Sequence, residues 1–244
     1  MEHVPAALAI GFGLITLLSV AIFYRAAHYS GRTLAVLLAW LGLQAGVALS
    51  GFYTVTNTLP PRPLALVAPP VLLMALLWGT ARGQQYLNGL HLPTLTLLHV
   101  VRIPVELVLY GLYVHHAVPE LMTFAGRNWD VLSGLSAPVV YYLAFKRKTL
   151  SSGWLLTWNF IALGLLVNIV ATAMLAAPTL FQKLAFEQPN VAILYFPFNL
   201  LPAVVVPLVL LAHLAAIRRL WGARRGVAEA AQRRSNFSRP DLVR

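Results

Sequence analysis

Seven times along this chain an apolar run long enough, or nearly long enough, to cross a bilayer recurs between polar or proline-rich connections. A helix needs about 20 such residues to traverse the hydrocarbon core. In lipid each spanning segment must satisfy its own backbone groups, which leaves helices and closed barrels as the available structures. The runs lie near 4–24, 33–52, 64–82, 92–114, 131–145, 154–177 and 191–217; the fifth is the shortest and Pro69-Pro70 interrupts the third. The sequence therefore predicts an all-α, polytopic integral membrane protein. Its expected form is a seven-transmembrane-helix bundle over 1–217 followed by a basic cytoplasmic tail over 218–244. Composition agrees, because 59% of the residues are hydrophobic and only 10% charged, against about 25% charged in a soluble domain. The chain has no cysteine, which removes disulfides, thiolate metal ligands and cysteine nucleophiles from consideration.

Charge placement sets the expected orientation. With the N-terminus outside, the inner loops and tail hold fourteen of the basic residues, among them Arg25, Arg32, Arg82, Lys146, Arg147 and Lys148. The outer loops hold only Arg62, Arg127 and Lys183. That asymmetry follows the positive-inside rule and predicts N-out, C-in. Glu2 and His3 precede the first run without a basic region, as in a retained N-out helix more than a cleaved signal. The net charge of +11 is concentrated beside apolar spans, so the expected partners are the bilayer and, for the tail, anionic lipid. Nucleic acid is not expected. No internal repeat of the kind that builds many transporters is evident.

The fourth run carries the chemistry. In LHVVRIPVELVLYGLYVHH, His99, Arg102 and Glu106 fall within about 60° of helical arc, and Tyr110 and Tyr113 continue the stripe. Arg102 and a charged Glu106 each oppose insertion by about 2.5–3.5 kcal/mol, while the thirteen Leu, Ile and Val residues of 92–114 return at most about 4–8 kcal/mol. This helix therefore needs partners along its polar stripe, and Pro104 frees a carbonyl inside it. Two readings stay open. Arg102 and Glu106, at i and i+4, neutralise each other, or the stripe marks a site for a solute or proton.

The seventh run places Tyr195, Asn199, Pro202, Val206 and His213 within about 60°, so His213 is expected to face His99 across the bundle. Thr157, Gly164, Asn168 and Thr172 share a face of the sixth run, opposite Asn159, and Asn168 is expected at the depth of Glu106. Ser133, Gly134, Ala137 and Tyr141 on the fifth run, and Ala39, Gly42 and Gly46 on the second, read as packing seams. Asn128 or Asp130 is expected to cap the fifth helix.

Metal or haem is the third reading. His99 with His213, or His115, His116 and Glu120 in the loop that follows, offer imidazole and carboxylate ligands. Adjacent histidines on a helix point about 100° apart, so His115 and His116 share a site only across a break at Pro119. No metalloprotease, nucleophile-elbow or phosphate-loop motif is present, so the sequence leans away from an enzyme and leaves that question open. The last run has no lysine for a retinal Schiff base. The stretches LTWNFIALGLLVNIV and FEQPNVAILYFPFNLLPAVVVPLVLLAHLAAIRRL resemble uncharacterised bacterial polytopic inner-membrane proteins. This resemblance covers the last third of the chain, implies a bacterial inner membrane and carries over no functional residues. The expected site is thus His99, Arg102, Glu106, Tyr110, Asn168, Asn199 and His213, binding or moving a small solute or proton. The competing expectation is a sensory or structural subunit of a membrane complex, or a homo-oligomer. Any cofactor is left open.

Overall fold

The computed structural model describes residues 3–237, with side chains as far as Arg224; the end of the expected tail lies outside them. All regular structure among these residues is helical. The elements are α1 (Ala6–Ala26), α2 (Gly31–Leu49), α3 (Leu64–Gly79), α4 (Ala81–Gly89), α5 (Leu92–Leu98), α6 (Arg102–Val114), α7 (Val131–Tyr141), α8 (Ser152–Ala176) and α9 (Val206–Phe237). Five segments are long and apolar enough to cross a membrane: Ala6–Ala26, Gly31–Leu49, Leu92–Val114, Ser152–Ala176 and Leu201–Arg224. A sixth is the pair α3 and α4, bent by 98°, and Val131–Lys146 is a shorter apolar helix. α9 continues past residue 217 without a break.

Local chemistry explains the boundaries. Ser30, Thr80 and Ser151 each accept a bond from a backbone N–H of the following first turn, capping α2, α4 and α8. The fourth run is interrupted: α5 and α6 are joined by a tight turn over His99–Val101. Pro104 has no N–H to offer the carbonyl one turn back, which is where the regular ladder fails. Pro207 does the same to Ala203, and the freed Ala203 carbonyl accepts the Trp40 indole N–H at 2.8 Å. A proline break in α9 is thereby repaired by α2. Asp130 occupies the cap position of α7 but makes no capping bond, contrary to expectation, because its carboxylate is engaged elsewhere.

Hydrogen bonds sort the connections into two ends. At one end His28 Nε2 meets Gly89 O at 2.9 Å, the His91 amide donates to Ala26 O, and Arg218 and Arg219 donate to Gln84 Oε1 and Leu90 O. This end is crowded with positive charge: burial, then His28, Arg25 and Arg219, push the His91 imidazole below its ordinary value. At the other end the amides of Val191 and Ala192 donate to Ala117 O, and Gln188 Nε2 donates to Tyr113 O and Val118 O.

The α3–α4 corner turns on one glycine. A Cβ on Gly83 would overlap the backbone carbonyl oxygen of Leu77. Gly83→Ala is therefore expected to force the corner open at about 1–3 kcal/mol. A lowered melting temperature of the purified protein would register it; an unchanged one would show that the corner does not need glycine.

Candidate functional site

Arg102 opens α6 in the middle of the Leu92–Val114 segment and is 4% exposed. Its guanidinium reaches three neighbouring elements. Nη1 lies 3.0 Å from Asp130 Oδ1 at the start of α7 and donates to Ala162 O of α8 at 3.3 Å. Nη2 donates to His213 Nε2 of α9 at 2.9 Å. A guanidinium only donates, so His213 Nε2 must carry the lone pair and Nδ1 the proton. That Nδ1–H donates to Asn159 Oδ1 at 3.0 Å, and Asn159 Nδ2 donates to Leu155 O. The imidazole of His213 is thus held neutral, in one tautomer, between a cation and an amide.

His99 stacks on His213, with ring centroids 4.0 Å apart and planes 21° from parallel, and meets Trp158 edge-on. Its Nδ1 is buried without a hydrogen-bond partner. Both nitrogens of His213 are committed to Arg102 and Asn159, so this arrangement leaves it no lone pair for a metal. Among the described residues no three His, Asp or Glu side chains converge as a metal cage. His115 Nδ1 pairs with Gly111 O and His116 Nδ1 with Gln188 Oε1, so the two rings turn to different partners, and Glu120 is exposed.

Glu106 sits one turn beyond Arg102, yet Arg102 forms its ion pair with Asp130. The Glu106 carboxylate instead takes the amide of Asn128 on Oε2, and the Phe124 backbone N–H lies near it. Oε1 is buried without a completed bond. Asn128 Nδ2 also donates to Met122 O, and its Oδ1 accepts the Asp130 amide at 3.0 Å. The connection before α7 therefore folds inward and delivers Asn128 and Asp130 to the middle of the bundle. Gly134 permits the approach of α7, since a Cβ there would stand 3.2 Å from Arg102 Cβ. Gly126 permits the inward fold, since a Cβ would overlap the backbone of Glu120 and Leu121. Gly126→Ala is expected to loosen this connection and raise its proteolysis rate in the purified protein. Parental cleavage kinetics would show that the connection tolerates a side chain.

Beside this cluster lies a cavity of about 640 Å³. Its walls are apolar residues of α3, α6, α8 and α9, such as Val67, Leu109, Val170 and Leu210, and its polar patch is Arg102, Glu106, Asn128 and Asp130. Pro61, Thr179 and Phe181, from the connections before α3 and after α8, also line it.

The structure brings His99, Arg102, Glu106 and His213 together and leaves three expected residues apart. Tyr110 is 39% exposed and stacks on Phe124. Asn199 is buried in a second polar cluster, donating to Gln44 O, while the Gln44 side chain accepts from Tyr53. Asn168 is exposed, because α8 turns the stripe of Leu155, Asn159, Ala162, Leu166 and Ile169 inward. Sequence reasoning missed Asn159 and the inward roles of Asn128 and Asp130. The available signal was that stripe on α8, where an amide falls among small and branched residues.

No curated protein and no solved structure matches this chain. Residues 59–221, about two thirds of the chain and including every member of the buried cluster, match the family described as domain of unknown function DUF8737. The chain belongs to that family.

Proposed function

We propose that this chain is a seven-span protein of a bacterial inner membrane, N-terminus outside and C-terminus cytoplasmic, whose cavity binds a small, largely apolar solute. The count of seven takes α3 as one crossing, with polar α4 lying along the inner surface. It takes Val131–Lys146 as another, shortened because the inward fold before α7 occupies the outer half of its path. The separation of basic from less basic ends supports the orientation.

One observation carries the binding reading: a cavity of about 640 Å³ with apolar walls is also lined by the Arg102–Asp130 ion pair and Glu106, with Arg102 Nε and Glu106 Oε1 buried and lacking completed bonds. Ligand sites have this make-up, a concave apolar volume of about 300–1,000 Å³ with a few convergent polar groups. Ionisable groups inside a membrane are costly to place and mark function by default. Toward the inner side, Arg102, His99, His213 and Trp158 pack against one another. The volume is therefore a pocket open on the outer half, and any translocation of solute or proton would need a second arrangement of that stack.

An uncharged environment-sensitive naphthalene dye tests the reading. It is expected to bind the purified protein and to bind at least about tenfold more weakly to Ala173→Trp, which fills the cavity from α8. Equal binding by the two proteins would remove the cavity as the site.

A further inference from the structure

Resting on that reading, we propose that the cavity's occupant is a single-chain amphiphile with an amine head, drawn sideways from the outer leaflet between α3 and α8. Size comes first. The cavity walls run over residues 64–74 on α3 and 166–175 on α8, each about 15 Å at 1.5 Å per residue. That is half of a hydrocarbon core of about 30 Å, the depth of one leaflet. A volume of about 640 Å³ holds about 20 water-sized units, which suits one hydrocarbon chain and its head.

The route is set by packing. α3 packs on α4, α9 and the helical segment 201–205, and α8 packs on α9 and α7; α3 and α8 have no extensive packing on one another. Val71 on α3 and Val167 and Met174 on α8 line the cavity and are still 45–57% exposed. A seam of apolar side chains facing both cavity and lipid is an opening suited to lipid-soluble molecules.

The head group follows from charge and bonding. Glu106, more than nine-tenths buried, lines the cavity and presents Oε1 without a completed hydrogen bond, while Asp130 Oδ1, also in the lining, is paired with Arg102 Nη1 at 3.0 Å. Arg102 Nε is the one unmatched donor there, its terminal nitrogens being committed. Arg102 and Asp130 neutralise each other, so the Glu106 carboxylate, when ionised, is a negative charge without a cation of its own. An ammonium supplies the missing donor and neutralises that charge. A hydroxyl supplies a donor without the charge, and a carboxylate or phosphate head would add a third anion.

Competition for the dye decides the matter, with the protein in nanodiscs of phosphatidylcholine and empty nanodiscs as the blank. Hexadecylamine is expected to displace the dye at about tenfold lower concentration than hexadecanol, with hexadecanoate weakest. In Glu106→Gln the ratio of amine to alcohol midpoints is expected to fall to about one. Val167→Trp, on the exposed rim, is expected to slow dye exchange several-fold. Displacement by hexadecanoate at or below the amine concentration overturns the amine head, as does an undiminished ratio in Glu106→Gln. Unchanged exchange in Val167→Trp overturns the lateral route. A dye that binds and is blocked by Ala173→Trp, yet is displaced by none of the three, sinks the ligand class while the pocket stands. A dye that never binds sinks both.

Discussion

Arg102→Leu is expected to destabilise the protein by about 3–5 kcal/mol, the cost of leaving a buried charge without its partner. The guanidinium is the joint at which α6, α7, α8 and α9 meet. It faces Asp130 at 3.0 Å, donates to Ala162 O and supplies the proton on which His213 Nε2 depends. Removing it strands a carboxylate and two acceptors in a medium that cannot hydrate them. Asp130→Leu is expected to cost a similar amount by stranding the guanidinium. The double variant Arg102→Leu/Asp130→Leu is expected to recover much of the loss, because a buried pair replaced by apolar groups is often close to neutral. Melting of the four proteins in one detergent closes the cycle. Arg102→Lys should stay well below the parent, since one ammonium cannot hold three directions as a planar fork does. Additive losses in the double variant would show that the two residues stabilise the bundle separately. A parental melting point in Arg102→Leu would show that the pair stabilises nothing.

The fold was legible to the extent that length and apolarity govern it. Residues 6–26, 31–49, 92–114 and 152–176 are helical within a few positions of the runs read from the sequence. What local reasoning misplaced was governed by contacts distant in sequence. Asn128 and Asp130 precede a helix and look like caps, and nothing in their spacing announces Glu106 and Arg102 as partners. Arg102 and Glu106 have the spacing of an intrahelical pair, yet Asp130, from another element, takes the guanidinium. On α8 the two amides mark opposite faces, and the helix is apolar on both, so hydrophobicity could not say which face turns inward. Asn159 does so because Asp130, Ala162 and His213 already surround Arg102 and its amide completes the histidine's bonding. The fourth helix was legible as a polar stripe, but its break at His99–Val101 was not, although Pro104 pointed to that turn.

Cysteine labelling should give an all-or-none answer on how the bundle sits in its membrane. The chain has no native cysteine, so each introduced thiol is the sole target. Asn57→Cys and Glu187→Cys lie at exposed positions in connections assigned to the outside, whereas Gln85→Cys and Thr149→Cys lie at exposed positions assigned to the cytoplasm. A membrane-impermeant maleimide is expected to modify the first pair in intact cells and the second only after lysis. Gln85 is the informative position. Gly83 and the 98° bend lay α4 across the end of α3, and Arg218 and Arg219 of α9 bind Gln84 and Leu90 on either side of it. If α4 lies on the inner surface, Gln85→Cys and Thr149→Cys are both protected in intact cells while Glu187→Cys is labelled. If α3 and α4 instead form a re-entrant hairpin, the count falls to six and every later crossing reverses, so Gln85→Cys and Thr149→Cys label from outside with Asn57→Cys while Glu187→Cys is protected. The positive-inside rule opposes that result, because it would move Arg82, Lys146, Arg147, Lys148, Arg218 and Arg219 outward.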